Sequence, residues 1–120
     1  MAEPFSLRAR MGSFRHAFAG VRVLLREQHN ARIHLCAAVL VLALAAWLQV
    51  GRYDWALLLL TIALVWAAEA LNSSLEYLAD AAVPEHHELI ARAKDVAAAG
   101  VLVCALVAVV VGILVFLPYL

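Results

Sequence analysis

Three long uncharged apolar runs dominate the chain: residues 35–51, 55–68 and 96–120. A helix needs about 20 apolar residues to cross a bilayer, with a range of about 17–25. The third run meets that length outright, and the first meets it at the short end. The second does so only if its helix continues through the polar stretch "EALNSSLEYLAD", residues 69–80. The pattern therefore predicts spans at about 32–50, 54–81 and 88–118. "GRYDW" reads as the tight turn between the first two, with Tyr53 and Trp55 as interfacial aromatics. Pro84 breaks the chain after the second, because proline cannot continue a helix without losing a backbone bond.

Ahead of the spans, Phe14, Phe18, Val21 and Leu25 recur at intervals of three and four, with Arg8, Arg15, Arg22 and Arg26 filling much of the remainder. That periodicity predicts an amphipathic helix over about residues 5–28, with a basic face suited to the headgroup layer. A soluble basic tail is the plainer alternative. The whole chain, residues 1–120, reads as one all-α membrane domain.

Composition strengthens this picture. The chain is 67% hydrophobic, against about 45–50% for a soluble domain. A chain of 120 residues has too little interior to hide that excess. Formal net charge is zero, but six arginines precede the first apolar run, whereas most acids lie between Glu69 and Asp95. This is not the uniform basicity of a nucleic-acid binder. The arginine bias predicts a cytoplasmic N-terminus and an outer C-terminus. No cleavable signal-peptide pattern precedes the first run. Cys36 and Cys104 lie in apolar runs without metal-ligand spacing and are expected to be packing residues.

The polar stretch carries the candidate chemistry. Glu69, Asn72, Glu76 and Asp80 are spaced by three, four and four, so a helix places them on one stripe that climbs about 16 Å. Ionisable groups within a span normally face a bundle interior and mark a site. An early-surfacing helix end accounts well for Asp80, but poorly for Glu69, which follows Trp55 by only fourteen residues. At that depth Glu69 suits a general base for a weak nucleophile such as a lipid hydroxyl. Glu76, closer to water, suits Mg²⁺, which prefers carboxylate oxygens. Asn72 between them is able to orient either group. In "PEHHELIARAKD" the spacing fits neither HExxH nor a zinc finger, so a polar loop is the simpler reading of Glu85, His86, His87 and Glu88. Lys94 beside Asp95 can serve phosphate and metal together, or mark the interface. There is no GxxxxGK[ST] loop and no kinase catalytic loop.

These two stretches, with "SFRHAFAG" and "NARIHL" nearer the N-terminus, resemble the prokaryotic diacylglycerol kinase family, including its undecaprenol kinase branch. The family patterns are E-x-x-N-[ST]-x-[IL]-E-x-x-x-D and E-[YH]-H-x-L, the latter running on to A-K-D. The resemblance covers Ser13 to about Val111. It implies a surface helix and three membrane helices, a homotrimeric bundle in the bacterial inner membrane, and composite sites between subunits. The implied reaction transfers the γ-phosphate of Mg·ATP to a lipid alcohol. By position, Glu69 matches the catalytic base, and Glu76 a metal and ATP ligand. Glu69, Asn72 and Arg32 match substrate-contacting positions, and Asp80 a polar residue of the same site. Glu85, His87, Lys94, Asp95, Gln28 and His16 match nucleotide-contacting positions. His16 stands where the diacylglycerol-specific branch tends to have tyrosine. One departure concerns the metal: the family's second metal-binding glutamate falls on Gln28, with Glu27 beside it. "SFRHAFAG" and "NARIHL" look more like the undecaprenol kinase branch.

From the residues alone two other classes stay open. In a small proton-coupled transporter Glu69 would be the intramembrane proton carrier. In an assembly subunit it would serve helix pairing only.

Overall fold

The computed structural model describes residues 2–120. They form four α-helices and a terminal 3-10 turn, with no strand among the described residues. The helices are α1 (Leu7–Glu27), α2 (His29–Leu48), α3 (Arg52–Ala82) and α4 (Glu88–Phe116), followed by the turn Leu117–Tyr119. Three of them, α2, α3 and α4, are long and apolar enough to cross a membrane.

Local chemistry sets the boundaries. Ser6 caps α1, its Oγ accepting from the Ala9 N–H at 3.3 Å. Gln28 alone separates α1 from α2, in an extended conformation. Arg32, from the first turn of α2, folds back over the end of α1. Its Nε donates to the Leu25 carbonyl at 2.7 Å and its Nη2 to the Arg26 carbonyl. Helix ends leave such carbonyls without partners, so Arg32 fixes the break at which α1 meets α2. This is why α2 begins at His29 rather than at about residue 32.

The turn after α2 lies earlier than "GRYDW" suggested. Gln49 adopts the left-handed conformation, φ 55°. Its N–H bonds the Ala46 carbonyl, and the Val50 N–H bonds Ala45. These two bonds form a Schellman cap, completed by packing of Val50 on Ala45. The helix α3 then starts at Arg52, with Gly51 as its N-cap and Asp54 in its first turn, where a carboxylate complements the helix dipole. Only Gly51 of "GRYDW" belongs to the turn.

With 31 residues, α3 is about 46 Å long, longer than the ~30 Å hydrocarbon core. It packs along α4 and more narrowly against α2. At one end Ala45, Val50, Leu58, Val115 and Phe116 form the apolar core, supported by Leu44, Trp55 and Val111. The Tyr119 hydroxyl closes this end: it donates to Asp54 Oδ2 at 2.7 Å and accepts from the Gly51 N–H at 3.2 Å. At the other end of α3 the buried residues are polar: Glu69, Asn72 and Ser73. Cys104 is half-buried, whereas Cys36 lies on the exposed face of α2, so packing within the chain accounts for only one of the two cysteines.

Candidate active site

The polar end of the bundle has three tiers. The deepest is centred on Glu69, which is 1% exposed in the middle of an uninterrupted α3. Ser73, one turn on, donates its hydroxyl to Glu69 Oε1 at 3.3 Å. From α2, His34 brings Nε2 to within 3.7 Å of Glu69 Oε2. Asn72, also buried, lies on the neighbouring face. His34 Nε2, Glu69 Oε2 and Asn72 Oδ1 are buried and have no hydrogen-bond partner. Buried polar atoms are nearly always paired, and exceptions cluster at functional sites.

The middle tier joins the α1–α2 break to α3. Tyr77 donates its hydroxyl to Glu27 Oε2 at 2.5 Å and accepts from Gln28 Nε2 at 3.1 Å. Both candidates for the departed glutamate position thus meet on one phenol. The outer tier lies between α3, the loop after it and α4. There Lys94 Nζ pairs with Asp80 Oδ1 at 2.6 Å. Asp80, Glu85, His87 and Lys94 line a cavity of about 300 Å³. His87 also caps α4, its Nδ1 accepting from the Leu89 N–H at 3.1 Å. Half-buried Glu76 sits between the middle and outer tiers. Its carboxylate is close enough to act electrostatically on both the Tyr77 hydroxyl and the Lys94 ammonium.

Two apolar hollows flank the deep tier. One, of about 370 Å³ between α1 and α3, is lined by Gly20, Val21, Leu24, Ala70, Ser73 and Tyr77. The other, of about 500 Å³ between α3 and α4, reaches Asn72 and Cys104. The first runs from the Tyr77 tier to the hydroxyl that holds Glu69.

Most of the sequence-selected residues fall into these tiers. Glu69 and Asn72 lie in the deep one, Gln28 and Glu27 in the middle, Glu85, His87 and Lys94 in the outer, with Glu76 between. Three do not join them. His16 is exposed on α1, twelve residues and about 18 Å of helix before Gln28. Asp95 is exposed on α4. Arg32 is engaged with the α1 carbonyls. Sequence reasoning gave no role to His34, Ser73 or Tyr77. His34 carried a usable signal, as an ionisable residue inside a span. Ser73 and Tyr77 follow Glu69 at successive intervals of four, and that stripe was also legible.

Among the described residues no three His, Cys, Asp or Glu side chains gather into a metal site, which leaves room only for an ion held as Mg²⁺ commonly is, by one or two carboxylates with water and phosphate oxygens in its remaining positions. Glu76 offers a carboxylate of the kind such a site needs. The bond from Gln28 Nε2 to Tyr77 leaves Gln28 Oε1 as a free neutral oxygen, and Glu27 keeps Oε1 free.

A helical membrane bundle with a buried carboxylate under an apolar groove, and an acid–base cluster about three turns above it, has the layout of an enzyme acting at the bilayer edge. The family model for prokaryotic diacylglycerol kinase matches residues 15–116. The undecaprenol kinase of Bacillus subtilis (strain 168) is 34% identical over 108 residues, covering 90% of this chain and 88% of that protein. A diacylglycerol kinase of Synechocystis sp. is 43% identical over 107 residues, 88% of this chain, and the chain spans 61% of that relative's length. The diacylglycerol kinase of Escherichia coli (strain K12) is 35% identical over 95 residues, 79% of this chain and 78% of that protein. The chain belongs to the prokaryotic diacylglycerol kinase family. It is therefore an enzyme of the lipid kinase class and a multi-pass membrane protein, and its co-substrate is a nucleotide.

Proposed function

We propose that this protein transfers the γ-phosphate of ATP to the hydroxyl of a membrane lipid, undecaprenol or diacylglycerol, with Glu69 as the general base. The observation that carries this is the burial of the Glu69 carboxylate beside an apolar groove, on the same helix as the exposed Asp80, which pairs with Lys94 of α4. A lipid alcohol presented along the groove would lose its proton to Glu69 as its oxygen bonds the γ-phosphorus and the bond to ADP breaks. Asn72, with its unpartnered Oδ1, would orient the hydroxyl. Lys94, Glu85 and His87 would receive the nucleotide in the outer cavity, with Asp95, Gln28 and His16 as further contacts. Arg32 retains N–H groups beyond the two bonded to α1, and these would meet the lipid headgroup region.

Glu76 would hold Mg²⁺, joined by Gln28 Oε1 or by Glu27. Bound there, the ion supplies positive charge against the phosphate oxygens. A neutral oxygen in place of a second carboxylate weakens the site, since affinity rises with ligand charge.

The arginine-rich N-terminal segment supports a cytoplasmic N-terminus in the bacterial inner membrane. Large apolar side chains exposed along α2, α3 and α4 support lipid contact and assembly as a homotrimer. "SFRHAFAG" and "NARIHL" favour the polyprenol as acceptor, whereas the 43% identity is to a protein named for diacylglycerol. The test is transfer of label from γ-labelled ATP by the purified protein in detergent, with both lipids offered side by side with and without Mg²⁺. Labelled lipid formed only with Mg²⁺ supports the proposal and identifies the acceptor. Absence of transfer to either lipid refutes it.

A further inference from the structure

The deep tier holds a contact to the proposed base, from His34, that the proposed reaction leaves without a role. His34 Nε2 and Glu69 Oε2 face each other at 3.7 Å, from different helices. Each is buried and neither has another partner. His34 also borders a largely apolar cavity of about 80 Å³, whose other lining residues include Ala37, Ile62, Val65, Trp66 and Ala108. The other Glu69 oxygen is already held by the Ser73 hydroxyl.

We infer that His34 is a positioning residue for Glu69: as a neutral imidazole it donates Nε2–H to Oε2 and, with Ser73, brackets the carboxylate. This rests on Glu69 being the base. A carboxylate out of water needs donors to remain charged, and a base must be aimed as well as present. With one oxygen tied to Ser73 on α3 and the other to His34 on α2, rotation of the carboxylate is blocked. Its free lone pairs then stay turned to the incoming hydroxyl. The 3.7 Å separation is longer than a hydrogen bond, but such contacts are often long in the ligand-free state and tighten in the reactive complex. The N–H donor is the essential feature, not the imidazole charge, so glutamine can replace it and leucine cannot.

The experiment compares His34→Leu, His34→Gln and Glu69→Gln in the labelled-ATP assay, and reads the His34 ring nitrogens by NMR in the unmutated chain and in Glu69→Leu. His34→Leu should lower kcat by about tenfold to hundredfold, the range for a misaligned reacting group, with lipid and ATP KM within about twofold. His34→Gln should stay within about threefold of wild type, because a donor remains. The wild-type ring should show the Nε2–H tautomer, and Glu69→Leu should lose that preference. His34→Leu at wild-type kcat, or an Nδ1–H tautomer in the wild type, overturns the inference. If His34→Leu fails to fold, the wild-type tautomer decides alone. A fully active Glu69→Gln overturns the base assignment instead, whatever His34 does, so the two failures are distinguishable.

Discussion

The two ends of this bundle are built on opposite terms. At the closed end Ala45, Leu58, Val115 and Phe116 pack together, and the Tyr119 hydroxyl is satisfied twice, by Asp54 and by the Gly51 N–H. At the polar end three buried atoms, on His34, Glu69 and Asn72, have no partner. An unpaired buried polar atom costs about 1–3 kcal/mol, so the polar end is held in place by the rest of the bundle rather than by itself. The difference teaches where to look for each property. Stability should reside where polar groups are paired and apolar ones packed, and reactivity where they are not.

Variants at each end can break or sharpen that contrast. The largest effect is expected at Glu69→Gln, which keeps shape but removes the base: turnover should fall by about 10²–10⁴, with thermal stability in detergent unchanged or raised. Next is Phe116→Ala at the closed end, which should cost about 3 kcal/mol as a large-to-small core change. It should lower the melting temperature and leave the turnover of the folded fraction near wild type. Tyr77→Phe removes the phenol that Glu27 and Gln28 share. The Mg²⁺ concentration for half-maximal rate should rise about tenfold, the scale for groups that orient metal ligands, with a stability loss of about 1 kcal/mol for the two bonds. The smallest is Tyr119→Phe, which should destabilise by about 1 kcal/mol through its lost bonds, without touching kcat. A rise in the Mg²⁺ requirement of Tyr119→Phe matching that of Tyr77→Phe would erase the contrast.

The sequence showed the helices because their signals are local. Apolar length marked the spans, proline the loop before α4, and spacing put Glu69, Asn72 and Glu76 on one face. What it could not show depends on neighbours distant in sequence. Arg32 reads only as a match to a substrate-contacting position until α1 is seen ending beneath it, its last carbonyls bonded by the guanidinium. Gln28 and Glu27 read as alternatives for one position until both meet Tyr77, 49 and 50 residues on. His34 reads as a histidine in an apolar helix until α2 packs against α3 at the level of Glu69. The turn after α2 was misplaced for a different reason. Its left-handed residue is Gln49 and not a glycine, so the usual composition signal for a helix end was missing.

The central claim is that chemistry and stability are separated along α3, and turnover measured on Glu69→Gln tests it most directly. This variant, melting no lower than the wild type, should transfer label from γ-labelled ATP to lipid at least about a hundredfold more slowly than the wild type does. Glu69→Gln turning over at the wild-type rate would contradict it.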